Sequence, residues 1–264
     1  KLGNPKACLC ACVAGLGTGS LATMKALSSL RVGVGAIGLI AGALVIHAQA
    51  SPIAASPGLL KNPQTGGLKL AAAGAISFGP EGLLIIAESR MGSVVAVQTG
   101  DVGPVQKLKQ RVDKVPELIA KSQGTTAEKI LINDLAVNPL SGIIYLSVSR
   151  KPDNAASIVT INADGQATTM VFDTLPWARV TLPGVTSAKS TNITDVACTT
   201  DRILAAGSCN EEFASKIFSL PLPLEHGATA SVYSAETYHV AHGKWETRAP
   251  ISSFIPHEED GKSF

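Results

Sequence analysis

One short pattern, an apolar segment, a turn and a second apolar segment, occurs four times in this 264-residue chain. The copy at 134–145, Asp-Leu-Ala-Val-Asn-Pro-Leu-Ser-Gly-Ile-Ile-Tyr, is the most complete. Alignment of Phe78, Val137, Cys198 and Phe254 gives spacings of 59, 61 and 56 residues. A period of this length indicates an array of similar structural units, so the repeat restricts the fold more than any single residue does.

Each copy predicts a β-hairpin, because aliphatic and β-branched residues flank turns of Pro, Gly, Asn, Asp or Ser. Further strands are predicted at 94–97, 157–161 and 216–220, and a strand at 168–172 completes four in the second unit. A β-sandwich needs no such repetition, and a parallel β-helix has shorter repeats of roughly 20 to 30 residues. We therefore predict an all-β fold, a β-propeller with four-stranded antiparallel blades at 71–101, 130–173 and 192–238.

The spacing is longer than the roughly 40 to 50 residues of common blade families, so the additional residues are predicted in loops. The longest of these loops is 107–129, and a short helix is predicted there at 116–121 with Pro in its first turn. Residues 71–264 are predicted to form an incomplete ring of about three blades and the start of a fourth. Truncation of a longer protein is favoured over ring closure by oligomerisation.

The stretch Asp-aliphatic-Ala-aliphatic-x-Pro-x-x-Gly at 134–142 resembles the opening of a blade in bacterial extracytoplasmic β-propellers of the broad NHL-like and YVTN-like kind. The resemblance covers residues 71–264 and implies a fold, but it does not imply a reaction. The other copies depart from the pattern. Ala75 and Ser252 stand in place of the Asp, and Thr200 stands in place of the Pro.

The N-terminal region has the pattern of an export signal. Residues 24–31 offer a start Met and a basic segment, and the apolar run at 32–46 is shorter than the roughly 20 residues of a membrane span. The sequence Ala-Gln-Ala at 48–50 predicts cleavage before Ser51, with an uncleaved anchor as the alternative. Residues 24–50 are thus a predicted signal peptide, 51–70 a flexible lead-in, and the location is secreted or periplasmic.

Residues 1–23 are interpreted as an upstream extension or read-through that is absent from the mature protein. They hold Cys8, Cys10 and Cys12, a spacing that would suit thiolate binding of zinc or copper. Because this cluster precedes the predicted signal peptide, the favoured interpretation gives it no role in the mature protein.

Composition limits the partners. The net charge is +2, charged residues make up 16% of the chain, and no basic stripe interleaved with aromatic residues occurs. Nucleic acid is therefore not an expected partner. No membrane span is expected after signal cleavage, no cofactor motif is found, and the expected partner is an unknown small molecule or protein.

The repeat predicts a polar rim on the ring. Arg90 and Arg150 end the second strand of their hairpins, level with the start of the first strand, where Asp134 and Asp195 stand. We interpret these four residues, with Asn210 and Glu211, as a candidate site for an anion or polar substrate. The alternative is that these side chains satisfy backbone groups within or between blades, and it is favoured because residues repeated in every blade usually stabilise the blade.

The segment 238–248, which the repeat does not explain, is the leading candidate for a binding site, because it is a polar and aromatic loop on a rigid ring. The alternative is a surface loop that contains two histidines and has no binding role. The possible ligand-binding residues of the segment are His239, His242, Glu246 and Arg248. Two histidines and a glutamate can ligate a metal, but a third clearly spaced ligand is missing, so no metal site is predicted.

Cys198 and Cys209 are the only thiols after the predicted cleavage. The repeat places Cys198 at a buried strand position and Cys209 at a loop about 20 Å away, given roughly 3.3 Å per strand residue. A disulfide tolerates a Cα separation of about 6 Å, so none is expected between them.

Three functions remain open. The first is an exported propeller that binds a ligand or protein through one rim. The second is an exported propeller enzyme, such as a hydrolase, a lyase or a quinoprotein-type oxidoreductase, completed by blades outside this chain. The third is a structural repeat protein of the cell surface.

Overall fold

The computed structural model describes residues 58–184, 192–208, 215–234, 237–246, 251–259 and 262–263. Strands provide most of the regular structure, so the fold is all-β, as predicted. The strands are β1 (Leu60–Lys61), β2 (Gln64–Thr65), β3 (Ile76–Phe78), β4 (Leu83–Glu88), β5 (Ser93–Gln98), β6 (Ile130–Val137), β7 (Ile144–Arg150), β8 (Ala155–Ile161), β9 (Ala167–Thr169), β10 (Pro176–Thr181), β11 (Asn192–Cys198), β12 (Arg202–Ser208), β13 (Ser215–Pro221), β14 (Leu224–Glu225), β15 (Ser231–Ser234), β16 (Thr237–His239), β17 (Lys244–Glu246), β18 (Glu258–Glu259) and β19 (Lys262–Ser263).

The second and third repeats each form a four-stranded antiparallel sheet, which confirms the predicted blade content. Blade 2 has the order β6-β7-β8-β9, and blade 3 has the order β11-β12-β13-β15. Each blade therefore starts with an inner strand that carries the repeated motif and continues outward strand by strand.

Blade 1 takes one strand from a distant part of the sequence. The hairpin strands β3 and β4 and the next strand β5 come from the first repeat, but the fourth strand is β10, which follows blade 2 in the chain. The prediction of four strands within 71–101 is therefore wrong for the first unit. Blade 2 and the loop before it are inserted between the third and fourth strands of blade 1.

The order of the blades in space differs from their order in the sequence. One face of blade 1 packs on blade 2, where Leu84 and Ile86 meet Tyr145 and Ile158. The opposite face packs on blade 3 in a core of mainly aliphatic residues. Blade 1 thus lies between blades 2 and 3.

A helix instead of another blade covers part of the far face of blade 2, while Leu135 and Val137 on that face are about half exposed. Helix α1 (Val115–Ser122) has Pro in its first turn, as predicted, and its buried Ile119 packs on Leu146 and Val148. The face of blade 3 that corresponds to this far face of blade 2 packs on blade 1, and Val196 is buried there. The long loop therefore caps one end of the row of blades.

The segment after residue 58, predicted as part of a flexible lead-in, contains ordered strands. β1 pairs in parallel with β14, and β2 pairs with β10 at the outer edge of blade 1. The indole N–H of Trp177 also donates to the carbonyl of Gly66 at 2.8 Å. This segment is built into the outer edges of the sheets.

The Asn-Pro-x-x-Gly turn of blade 2 explains the most complete copy of the repeat. The carbonyl of buried Asn138 accepts from the Gly142 amide at 2.8 Å. Gly142 has φ +76°, and a Cβ at this position would collide with the carbonyl oxygen of Gln106. Glycine is required here because the chain needs a left-handed conformation and a close backbone approach.

The same turn is joined to blade 1 by a carboxylate. One oxygen of Asp101 accepts from Asn138 Nδ2 at 2.7 Å, Ser141 Oγ at 2.6 Å and Tyr145 Oη at 3.0 Å. Burial and the neighbouring Asp101 carboxylate raise the pKa of Tyr145. The phenol therefore stays protonated and holds the segment after β5 against blade 2.

Cys198 is free, as predicted, and half-buried between blades 1 and 3. Its Sγ would be 3.0 Å from a Cβ placed on Gly79. Burial, followed by the nearby Asp201 carboxylate, raises the pKa of the thiol to about 11. Cys209 and residues 1–57, which include the predicted signal peptide and the Cys8 cluster, lie outside the described residues.

Candidate functional site

A cleft of about 760 Å³ lies where the inner strands of the three blades approach one another. Most of its side chains are small or polar. It is lined by Ala72, Ala73, Gly74, Ala75, Ser89, Arg90, Ile132, Asn133, Asp134, Ser149, Asn192, Ile193, Thr194, Asp195, Ser252 and Ser253. The cleft therefore brings together residues from all three blades and from the segment that follows them.

A β-bulge at the start of each inner strand shapes this cleft. The pairing register shifts between Ile132 and Asp134 in blade 2 and between Ile193 and Asp195 in blade 3. In blade 1, the Ala87 carbonyl accepts from the Gly74 amide and the Ala87 amide donates to the Ala75 carbonyl, so two residues stand opposite one. A bulge bends its strand and re-aims the following side chain, so the repeat directs equivalent positions toward the neighbouring blade.

Asp134 connects blade 2 to blade 1. Its Oδ1 accepts from the amide of Leu135 at 2.8 Å, and its Oδ2 accepts from the amide of Ile76 at 2.8 Å. Ile76 follows Ala75, the residue that replaces Asp in the first unit. One carboxylate thus satisfies the same main-chain position in two blades.

Asp195 does the same at the other side of the cleft. Its Oδ1 accepts from the Val196 amide at 2.9 Å, and its Oδ2 accepts from the Phe254 amide at 3.0 Å. Phe254 therefore occupies the place of Ile76 in its repeat. The sequence alignment that matched Phe254 with Phe78 is therefore wrong by two residues. In the register of the structure Ser253 stands where the Asp would be, so the assignment of Ser252 to that position is wrong as well.

The amide and hydroxyl side chains of the cleft are partly used for blade contacts. Asn133 donates from Nδ2 to the carbonyl of Ala73 at 2.7 Å and to Ser149 Oγ at 2.8 Å. Ser89 Oγ accepts from the Ile193 amide at 3.0 Å and donates to Asn192 Oδ1 at 3.3 Å. Sequence reasoning missed both asparagines. Asn133 could have been found, because the residue just before each Asp is polar in the second and third units.

Arg90 differs from the other two charged residues of the cleft. It is exposed in the turn between β4 and β5. Across the described residues, its guanidinium has neither a hydrogen bond nor an ion pair. A guanidinium offers five N–H donors in a planar fork that fits a carboxylate or phosphate. Arg90 is therefore available to a ligand.

Arg150 does not join the other three predicted rim residues. Its Nη2 donates to Asp153 Oδ2 at 2.8 Å, and both side chains are exposed. This contact raises the pKa of the Arg150 guanidinium and lowers the pKa of the Asp153 carboxyl. The structure thus places Arg90, Asp134 and Asp195 at one cleft and Arg150 outside it. Asn210 and Glu211 lie outside the described residues.

The histidine segment forms a separate hairpin of β16 and β17. The rings of His239 and His242 are stacked with centroids 5.0 Å apart, and Tyr238 meets Trp245 edge to face at 5.2 Å. None of these four residues lines the cleft. Glu246 ends β17, and Arg248 lies outside the described residues.

The described ranges contain neither a metal-binding cluster nor a membrane-spanning helix. No group of three or more His, Cys, Asp or Glu there is close enough to hold a metal ion. No helix in the same ranges is long and apolar enough to cross a membrane.

Comparison with family models, with curated proteins and with solved structures finds no match for this chain. The resemblance to NHL-like and YVTN-like propellers therefore stays a prediction. The evidence for the candidate site is its geometry.

Proposed function

We propose that this chain is a ligand-binding β-propeller and that the cleft at the inner strands holds a small polar ligand. The observation that carries the proposal is Arg90, whose guanidinium has no partner among the described residues and lies at a cleft whose carboxylates are already hydrogen-bonded to the main chain. Loops and strand ends on a rigid scaffold are common positions for binding residues.

Size and lining support a small molecule. Sites for small molecules and cofactors typically measure about 300 to 1,000 Å³, and this cleft is about 760 Å³. Its lining is richer in hydroxyl and amide groups than in large apolar side chains. Such groups fix a ligand through hydrogen bonds, so a polar compound fits the cleft better than an apolar one.

Binding is favoured over catalysis because the two carboxylates have structural partners. Each oxygen of Asp134 and Asp195 accepts a main-chain N–H, which holds the side chain toward the neighbouring blade. An enzyme of the hydrolase or lyase class would need a general acid or base aimed at its substrate.

The proposal is tested by screening small polar compounds against the full chain with ligand-observed NMR. A bulky Ser252→Trp change at the exposed edge of the cleft should abolish binding of every hit. Ser231→Trp, at an exposed position of β15, is the matched control and should leave binding unchanged. Hits that bind Ser252→Trp as well as the unchanged protein would refute the cleft as the site.

The proposal also places the protein outside the cytoplasm, on the evidence of the sequence at 24–50. Expression with the complete N-terminal region should yield an exported product whose first residue is Ser51, as read by N-terminal sequencing. A product that keeps residues 24–50 and stays inside the cell would contradict this part of the proposal.

A further inference from the structure

The charged groups of the cleft are of both signs. Arg90 contributes one positive charge, and Asp134 and Asp195 contribute two negative charges. All the other side chains that line the cleft are neutral. The formal charge is therefore −1, but the positive charge lies in the turn after β4 and the two negative charges lie on β6 and β11.

The carboxylates still have capacity for a ligand. A carboxylate has about four lone-pair positions, and Asp134 and Asp195 each use two of them for main-chain amides. The remaining positions can accept from an ammonium or hydroxyl group. Arg90 has all five of its donors free of described protein partners.

A ligand with a single charge uses only part of this arrangement. A simple anion would pair with Arg90 but would be repelled by two carboxylates, and a dianion such as phosphate would be repelled more strongly. A simple cation would pair with Asp134 or Asp195 and be repelled by Arg90.

We infer that the cleft recognises a zwitterion of short-peptide size, with its carboxylate at Arg90 and its ammonium at Asp134 or Asp195. This inference rests on the proposed function. The volume of about 760 Å³ exceeds that of a single amino acid and leaves room for a backbone between the charged ends. The amides of Asn133 and Asn192 and the hydroxyls of Ser252 and Ser253 lie along the cleft to pair with peptide groups.

The test uses four peptides that differ only in their end charges. They are triglycine, N-acetyl-triglycine, triglycinamide and N-acetyl-triglycinamide, titrated into the full chain by calorimetry. Triglycine should bind about tenfold more tightly than either singly blocked peptide, because each block removes one charge-assisted contact. The doubly blocked peptide should bind most weakly.

Arg90→Gln should remove the preference for a free carboxylate, so that triglycine no longer binds more tightly than triglycinamide. Arg150→Gln removes the same charge outside the cleft and should preserve the full order of affinities. Equal binding of all four peptides, or an unchanged order in Arg90→Gln, would overturn the inference.

The outcomes separate this inference from the proposed function. One outcome is that no peptide binds, while Ser252→Trp still abolishes binding of the compounds found in the polar screen. The inference of a zwitterionic ligand is then wrong, and the proposal of a binding cleft stands. If neither the peptides nor any screened compound binds, both are wrong.

Discussion

At the scale of single residues, Asp134 and Asp195 show why an acidic residue recurs in the repeat. Four equivalent main-chain amides, those of Ile76, Leu135, Val196 and Phe254, are all capped by carboxylate oxygens. Two aspartates are enough, because each serves its own blade and a neighbouring segment that lacks an Asp. The loss of the Asp in the first and fourth units thus follows from how the blades pack.

Asp134→Ala should lower the free energy of unfolding by about 2 kcal/mol, since it leaves two amides without their charged acceptor. Asp164→Ala, which removes an exposed carboxylate paired with Lys109, is the control and should cost less than about 1 kcal/mol. Urea unfolding of both variants measures the difference. Equal losses would show that the contact between blades contributes no stability of its own.

Cys198 gives a prediction about pH. With its pKa raised to about 11, the folded thiol is almost entirely protonated at pH 8, and its alkylation should be slow and should accelerate up to about pH 11. The measurement uses a variant whose other four cysteines are serine, compared with the same variant in denaturant, where the thiol regains an ordinary pKa of about 8.5. Equal rates at pH 8 would contradict the burial of Cys198.

At the scale of elements, β10 is the strand that local sequence does not assign. It is held in blade 1 by a salt bridge in which Arg179 Nε donates to fully buried Glu88 at 2.8 Å. Ser93 Oγ and the amide of Ala71 donate to the same carboxylate at 2.9 Å. A buried carboxylate with this many partners fixes the place where the distant strand joins.

Glu88→Ala should destabilise the protein by about 3 kcal/mol, because it leaves Arg179 without its partner in a mostly buried position. Asp153→Ala breaks the exposed ion pair with Arg150 and should cost less than about 1 kcal/mol. Thermal unfolding compares the two. A loss for Glu88→Ala no larger than that for Asp153→Ala would show that this salt bridge does not hold β10.

The sequence predicted the elements whose partners are near in the chain. Blade 2 was found because its strands and turns follow one another, and α1 was found from its Pro and its position in the long loop. The place of β10 was missed, because its pairing partner β5 is separated from it by blade 2. Arg150 was grouped with Arg90 because both hold the same repeat position, but only Arg150 has an acid, Asp153, three residues away.

At the scale of the whole molecule, blade 1 lies between blades 2 and 3, an order that the repeat does not reveal. Every blade presents aliphatic residues on both faces, so sequence alone does not say which faces meet. The cleft depends on this order, because blade 1 contributes Arg90, blade 2 contributes Asp134 and blade 3 contributes Asp195. Non-sequential packing therefore brings three of the predicted rim residues, Arg90, Asp134 and Asp195, to one cleft.

The most direct test of the binding cleft is backbone NMR of the full chain during titration with the tightest ligand found. The account predicts that the largest chemical-shift changes fall at 72–75, 89–90, 133–134 and 192–195, and that His239→Ala with His242→Ala leaves the affinity unchanged. Shift changes centred on the hairpin at 237–246, or affinity lost with the two histidines, would contradict it.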